Sequence, residues 1–318
     1  ADAFPMMINA VIVTHNRKAL LLRCISAVLN QTIPVHRLVI VDNASSDGTR
    51  EQLVKKGYAS ETDGVTETIG TTGIDVIRLQ ENLGGAGGFH FGMRHAFQED
   101  MDFMWIMDDD GYPAADCLER QLPYAGSHDY VMPVSLDTQD HTKLTWFIRM
   151  KNKKWTRSYK ELAASFTDGI MPQATPFNGL LLSRQVIQQV GWPNKDMFIW
   201  GDDYEYQYRC IRAGYTPVTV LDAKFYHPED KASHYRIFWG LVPVNYSESR
   251  LRFTCLIRNS TYNYWHYKGK HYIFLKFLIY SWFFLIYKRL SVEEYSHYLK
   301  CVMDGIKGDF SRHRKYLE

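Results

Sequence analysis

The feature that most constrains this fold is the alternation of short apolar runs with helix-like segments along the first 110 residues. Runs such as Arg37–Asp42 (RLVIVD) and Phe103–Met107 (FMWIM) are apolar almost throughout, which is typical of strands buried on both faces of a sheet. The residues Ser45, Ser46 and Asp47 that follow the first of these runs are favoured at helix starts. Because strands alternating with helices imply right-handed crossovers, the sequence predicts an α/β fold on a mostly parallel sheet.

The same pattern sets the expected order of elements. We predict strands at Ala10–Thr14, Arg37–Asp42, Ile74–Leu79, Phe103–Met107, Phe177–Ser183 and Pro217–Leu221, and helices at Lys18–Asn30, Ser45–Lys56, Gly88–Glu99 and Asp202–Ala213. Residues 137–175 have no sustained period and form a long insertion, which is usually either functional or mobile; acceptor binding is its candidate function. We expect a catalytic domain over residues 1–235 and a basic, aromatic helical region over residues 236–318.

Charge is distributed unevenly along the chain. Residues 1–222 carry 21 Lys/Arg against 27 Asp/Glu, whereas residues 223–318 carry 16 against 8, within a formal net charge of +2. The basic part contains Tyr272–Tyr287, which is apolar except for Lys276 and is shorter than the roughly 20 residues that span a bilayer. This segment is either an interfacial helix or a buried packing helix, and residues 250–318 are candidates for peripheral membrane contact. The acidic first two-thirds of the chain argues against a nucleic-acid partner.

Five cysteines lie far apart and form no C-x-x-C pair. A disulfide framework and a structural zinc site are therefore not expected, and a reducing compartment is the simple interpretation. No basic stretch followed by an apolar run begins the sequence, so we see no signal peptide and expect a cytoplasmic location at the inner face of the membrane.

Three adjacent carboxylates, Asp108, Asp109 and Asp110, follow the fourth predicted strand. They lie where ligands bind in open α/β sheets, and their mutual repulsion calls for a neutralising cation. A hard divalent cation such as Mn²⁺ or Mg²⁺ prefers oxygen ligands and keeps positions free for phosphate. The alternative is a solvated acidic turn that leads into Gly111.

Two further motifs follow predicted strands. Asp42 can accept hydrogen bonds from a ribose or a base edge, or it can form an ordinary turn with Asn43. The glycine cluster at 84, 85, 87 and 88 stands between a strand and a helix, as phosphate-cradling loops do. It matches neither the dinucleotide fingerprint nor the P-loop, and the alternative is close packing of a helix against the sheet.

Residues 200–205 combine aromatic and acidic side chains at a predicted helix start. Asp202 and Glu205 have the spacing of a capping box, which leaves Asp203 available as a general base. Trp200 is either a core residue or a platform on which a sugar stacks. His227 follows the last predicted strand and is either a bystander or a metal ligand.

Taken in order, these motifs resemble the inverting, metal-dependent glycosyltransferases of family 2, which have the GT-A fold. The V-D-N-x-S-x-D-G-T stretch from Val41 to Thr49 is the most specific element, and the resemblance covers roughly residues 8–230. The stretch Glu81–Phe89, together with Trp105–Asp110 and Trp200–Glu205, is similar to the galactofuranosyltransferase and rhamnosyltransferase branch.

The resemblance implies a role for each matching residue. Asp203 would be the catalytic base, although many members have Glu-Asp where this chain has Asp202-Asp203, and the metal ligands would be Asp108, Asp110 and His227. The residues implied to contact the donor are Thr14, Asp42, Asn82, Gly84, Gly85, Gly87, Gly88, Asp109, Trp200 and Asp202.

The activity implied is transfer of a sugar from a nucleotide-sugar donor, with UDP-galactofuranose favoured and dTDP-rhamnose as the alternative. The acceptor would be a glycan, free or carried on a polyprenyl diphosphate, in bacterial polysaccharide synthesis. From a different class, a carbohydrate- or nucleotide-binding protein without catalysis stays open. The oligomeric state also stays open, a homo-oligomer included.

Overall fold

The computed structural model describes residues 6–174, 176–229 and 234–317. Thr175, at the end of the predicted insertion, lies outside the described residues. The described chain divides into two compact units, one made of residues 6–193 and 209–229 and the other of residues 194–208 and 234–317. The domain boundary predicted near residue 235 stays a prediction, and the second unit takes in residues 194–208 as well.

The first unit is built on one large mixed sheet. Its strands are β1 (Ile8–Thr14), β2 (Arg37–Asp42), β3 (Glu67–Ile69), β4 (Thr72–Arg78), β5 (Phe103–Asp108), β6 (Tyr112–Pro113), β7 (Tyr130–Asp137), β8 (Lys143–Arg149), β9 (Trp155–Ser158), β10 (Ile170–Met171), β11 (Asn178–Ser183) and β12 (Val218–His227). Its main path runs β10-β12-β7-β11-β5-β1-β2-β4-β3, and the pairs β5-β1, β1-β2, β2-β4 and β12-β7 are parallel. The predicted mostly parallel sheet is confirmed.

The helices of this unit cover the sheet. They are α1 (Lys18–Leu29), α2 (Thr49–Lys55), α3 (Gly84–Ala96), α4 (Cys117–Ala125), α5 (Tyr159–Ser165) and α6 (Arg184–Val190), and α7 (Asp202–Arg212) begins in the second unit and ends in the first. Strand β1 is buried along its whole length and β2 at every position after Arg37, as their apolar sequences predict. Elimination of water from both faces is what makes a parallel sheet of this kind stable.

The helix after the glycine cluster begins four residues earlier than predicted, at Gly84 rather than Gly88. A Cβ atom on Gly88 would lie 2.3 Å from Cγ1 of Val13, and one on Gly92 would lie 2.6 Å from Cγ2 of Val41. The glycines therefore let α3 approach β1 and β2 more closely than any side chain would permit.

Residues 137–175, in which the sequence shows no sustained period, contain β8, β9, α5 and β10. Their apolar side chains form a small core of their own against β7 and β12, which includes Leu144, Ile148, Leu162 and Met171. Buried and exposed positions do not alternate regularly along β8, and its register with β9 shifts, so no period of two is visible in the sequence.

The second unit contains a hairpin and a helical cluster. Its elements after the start of α7 are β13 (His234–Ile237), β14 (Val242–Asn245), α8 (Arg250–Asn263), α9 (Lys270–Trp282) and α10 (Val292–Lys307). The predicted apolar helix is α9 with a π-helical continuation, Phe283–Tyr287. Its inner side packs in a core with Phe253, Ile257 and Tyr298, so part of the segment is a packing helix. Among the described residues, no helix is both long and apolar enough to cross a membrane.

All five cysteines are buried and none forms a disulfide, in agreement with the expectation that the chain has no disulfide framework.

Candidate active site

The carboxyl ends of β1, β2 and β5 meet at one edge of the sheet. The strand register pairs Thr14 with Asp42 and Val13 with Asp108, so the motifs that follow these strands lie side by side. The Thr14 hydroxyl donates a hydrogen bond to Oδ2 of Asp109 at 2.6 Å. The structure therefore brings together Thr14 at the end of β1, Asp42 at the end of β2 and the three aspartates that begin at the end of β5.

A cation from the chain itself lies at the acidic cluster. One guanidinium nitrogen of Arg17, Nη1, is 3.1 Å from Oδ1 of Asp109 and 3.1 Å from Oδ2 of Asp110. Arg17 was not singled out in the sequence, where the neutralising cation was expected to be a metal. The available signal was a basic residue in the loop directly after β1, the strand next to β5.

Asp109 is the most enclosed of the three carboxylates, with 2% of its surface exposed. Burial raises the pKa of Asp109 to about 6, although the Thr14 hydroxyl and the Arg17 guanidinium both favour its ionised form. With both of its oxygens bonded by neighbours on β1 and the following loop, Asp109 serves to fix this loop against β5.

Asp110 and His227 form a close pair. Oδ1 of Asp110 is 3.2 Å from Nε2 of His227, and the ring Nδ1 lies 2.7 Å from the carbonyl of Pro228. Burial opposes ionisation of Asp110, but the His227 ring and Arg17 outweigh it and lower its pKa. Because a carbonyl only accepts, Nδ1 of His227 donates to Pro228, and this hydrogen bond holds the ring with Nε2 toward the carboxylate.

This pair fits a divalent cation. Buried Oδ1 of Asp110 has no hydrogen-bond partner among the described residues, although it faces the imidazole. A buried carboxylate oxygen beside an imidazole nitrogen is a donor set that Mn²⁺ or Mg²⁺ accepts, and a histidine fixed through Nδ1 is typical of metal ligands. Among the described residues, no three His, Cys, Asp or Glu side chains lie close enough together to hold a metal ion by themselves. The structure thus brings Asp110 and His227 together, while Asp108 stands at the end of β5.

Asp42 lies next to a small pocket. Its Oδ1 accepts a hydrogen bond from the amide of Ser45 at 2.9 Å, which makes the predicted turn, and its Oδ2 is 3.9 Å from Nε of Arg78. Arg50 and Val76 also line this pocket. The turn and the binding role that the sequence left as alternatives are therefore compatible at Asp42.

Asparagines hold the start of α3 in place. Asn43 is 1% exposed; its amide group donates to the carbonyl of Gly84 at 2.8 Å, and its oxygen accepts from the amide of Leu83 at 2.8 Å. The Asn82 oxygen accepts from the amide of Gly84 at 2.9 Å. Gly87 and Gly88 are packed against Leu83 and Val13, whereas a Cβ on Gly85 would meet nothing within 4 Å. Of the glycines at 85, 87 and 88, Gly85 is therefore the one with open space where a side chain would be.

Trp200, Asp202 and Asp203 belong to the second unit. Trp200 is 44% exposed, so the core alternative does not describe it. Because α7 begins at Asp202, the N-cap position falls on Gly201, and the capping-box interpretation does not hold. Asp202 is buried, Asp203 is half-buried, and burial raises the pKa of both carboxyl groups. A carboxylate with a raised pKa is a stronger base, which suits general-base chemistry.

The loop that leads to these aspartates is held by α8. Phe198 and Trp200 have positive φ angles of 68° and 59°, which are strained for large side chains. Nδ2 of Asn259 lies 2.9, 2.9 and 2.6 Å from the carbonyls of Met197, Ile199 and Trp200. This clamp could not be expected from the sequence, because nothing local distinguishes Asn259 from the other polar residues of α8.

Comparison with known proteins identifies the family of this chain. Residues 10–190 match the family described as glycosyl transferase family 2. The chain is 31% identical over 284 residues to the galactofuranosyltransferase GlfT1 of Mycobacterium tuberculosis, covering 88% of this chain and 89% of that protein.

Solved structures share the fold at low identity. The TarS structure from S. aureus superposes with a TM-score of 0.56 at 13% identity, over 98% of this chain and 50% of that one. GalNAc-T7, solved with UDP, GalNAc and Mn²⁺, superposes with a TM-score of 0.52 at 16% identity, over 75% of this chain and 46% of that one. The fold is that of GT-A glycosyltransferases, and the chain belongs to glycosyl transferase family 2.

Proposed function

We propose that this glycosyltransferase moves galactofuranose from UDP-galactofuranose to a bacterial glycan acceptor, with inversion at the anomeric carbon and with a divalent cation. The observation that carries the proposal is the Asp110–His227 pair, with its buried, unpaired carboxylate oxygen beside Arg17. The similarity to a galactofuranosyltransferase over most of both chains supports the choice of sugar.

The first unit would bind the donor. Asp42 and Thr14 would contact the nucleoside, the Gly85 side of α3 would lie along the diphosphate and sugar, and Asp109 would hold its loop in place. When bound, Mn²⁺ or Mg²⁺ held by Asp110 and His227, with Asp108, would supply positive charge to the departing diphosphate. Arg17 adds a fixed positive charge beside Asp109 and Asp110, which further favours binding of an anionic ligand there.

Asp203 would be the base. It takes the proton from the acceptor hydroxyl as that oxygen forms its bond to the anomeric carbon, and the bond from that carbon to the diphosphate breaks on the opposite face, releasing UDP. A single displacement of this kind needs no nucleophile from the enzyme. The raised pKa of Asp203 improves its match to the proton that it must accept.

The acceptor would be a glycan carried on a polyprenyl diphosphate, which places the enzyme at the inner face of the cell membrane. Residues 137–175, which expose Phe147 and Trp155, would contribute to its binding. A homo-oligomer is a further proposal, which sedimentation velocity of the full chain tests.

Calorimetric titration of the chain with UDP and with dTDP, each with and without Mn²⁺, tests the donor. We expect UDP to bind only with Mn²⁺, and Asp110→Asn to lose that metal-dependent part. The matched control is Asp116→Asn, which removes an exposed carboxylate paired with Arg120. Tighter binding of dTDP would favour the rhamnosyl donor, and absence of donor turnover with metal would favour a binding protein without catalysis.

A further inference from the structure

Helix α9 of the second unit is apolar on both of its sides. Its inner side packs into the core through residues such as Tyr280, which is 4% exposed. Its outer side carries Phe274, Leu275 and Leu278, which are 64%, 52% and 49% exposed. Because a surface helix normally turns polar residues to water, an outer face of this composition calls for an apolar cover.

The hairpin β13–β14 extends this apolar face. In its turn, the exposed fraction of Trp239 is 97% and that of Leu241 is 78%. The ring of Phe238, at the base of the turn, packs on Trp282 with centroids 4.4 Å apart. Trp282 lies four and seven residues after Leu278 and Leu275, hence on the same helix face. The hairpin turn and the outer side of α9 therefore form one surface, defined by Trp239, Leu241, Phe274, Leu275 and Leu278, which we call the apolar face.

The turn that presents Trp239 is not explained by packing. Phe238, Trp239 and Gly240 have φ angles of 52°, 55° and 85°, and a tryptophan in that region is strained. Because the Trp239 ring is almost fully exposed, burial of its apolar surface within the chain does not offset this strain. The position of Trp239 is thus better explained by contact with something outside the chain.

Positive charge surrounds the apolar face. Residues 249–292 contain eight Lys/Arg and no Asp or Glu. Lys268, Lys270 and Arg289 in this stretch are exposed, and the exposed Arg236 beside the turn donates to the carbonyl of Gly240 at 2.8 Å. Lys288 is excluded from this set, because it lies 3.7 Å from Glu248 and 3.5 Å from Glu294.

We propose that the apolar face docks on the surface of an anionic phospholipid bilayer, with its five side chains in the headgroup region and the surrounding Lys/Arg on acidic headgroups. The charge pattern favours a bilayer over a second copy of the chain. A second copy would bring two basic rims together, which like-charge repulsion opposes, whereas a bilayer with acidic lipids offers both apolar depth and negative charge. This inference concerns location and does not depend on which sugar is transferred.

Sedimentation of the full chain with lipid vesicles tests the proposal. We expect binding to phosphatidylcholine vesicles that contain 30% phosphatidylglycerol (about this fraction gives a clearly negative surface) and little binding to phosphatidylcholine alone. The double change Trp239→Ser, Leu278→Ser should lower the bound fraction about tenfold or more, and each of Lys268→Gln and Lys270→Gln should weaken binding about fivefold. The matched control is Ile69→Ser, which removes an exposed apolar side chain from β3 of the first unit and should bind like the original chain.

Undiminished vesicle binding by the double variant would overturn the proposal. If that variant also changes from oligomer to monomer on size-exclusion chromatography, the apolar face is a subunit interface instead. UDP binding measured on the same preparations confirms that each variant is folded, and it reports separately on the proposed function.

Discussion

Replacement of Asn259 by leucine should loosen the loop that carries Asp202 and Asp203. The carbonyls of Ile199 and Trp200 lose the amide donor that lies 2.9 and 2.6 Å away, whereas the Met197 carbonyl keeps Arg258 at 2.9 Å. Two part-buried carbonyls at about 1 kcal/mol each, and about 2 kcal/mol for the Arg258 Nε that loses its acceptor, give a destabilisation of about 4 kcal/mol.

Activity should fall further than stability alone explains. Without the clamp, the strained backbone at Phe198 and Trp200 relaxes, and a shift of about 1 Å at a catalytic group costs about 100-fold in rate. We would measure urea unfolding, UDP binding and donor turnover, and we expect UDP binding to persist. The control is Ser260→Ala, because that hydroxyl only bonds the carbonyl of Ile257 at 3.2 Å on the same helix. A variant Asn259→Leu that unfolds at the original urea concentration and turns over donor normally would refute the reasoning.

Two further predictions concern packing and pH. Gly88→Ala places a Cβ 2.3 Å from Val13 and should cost about 1–3 kcal/mol in urea unfolding, whereas Gly85→Ala has open space and should cost far less; equal costs would contradict the packing of α3. Burial, and then Arg258, lower the pKa of His313 from 6.5 to about 4. The unfolded chain therefore takes up the proton first, and the unfolding free energy should fall by up to about 3 kcal/mol as the pH drops from 6.5 to 4. His313→Gln should flatten this dependence, and an unchanged pH profile in that variant would exclude His313 as its source.

The sheet could be predicted from the sequence because each central strand can be recognised from its own residues. Arg37–Asp42 was predicted with its observed bounds, and the strand that ends at Asp108 was short by one residue. Burial on both faces leaves such strands no polar positions, so their sequences are continuous apolar runs. The order of motifs along the chain then places Asp42 and the acidic cluster at one edge, as observed.

What could not be predicted depends on contacts between distant residues. Arg17 bonds Asp109, which lies 92 positions later, and Asn259 bonds carbonyls about 60 positions earlier. Neither residue stands out within its own segment, because its role arises only when two elements pack. For the glycines at 84, 85, 87 and 88 the sequence left two alternatives open, a phosphate-cradling loop and close packing of a helix against the sheet. They form the first turns of a helix that lies close against β1, and composition alone does not distinguish the two.

The central claim is metal-dependent sugar transfer with Asp203 as the base, and the rate of UDP release from UDP-galactofuranose tests it most directly. The assay uses Mn²⁺ and a cell-envelope fraction as the source of acceptor, and compares the original chain with Asp203→Asn. We expect this change to lower the acceptor-dependent rate about 10³-fold while calorimetric UDP binding is retained. Near-normal release by Asp203→Asn, or full activity of the original chain after removal of divalent cations, would contradict it.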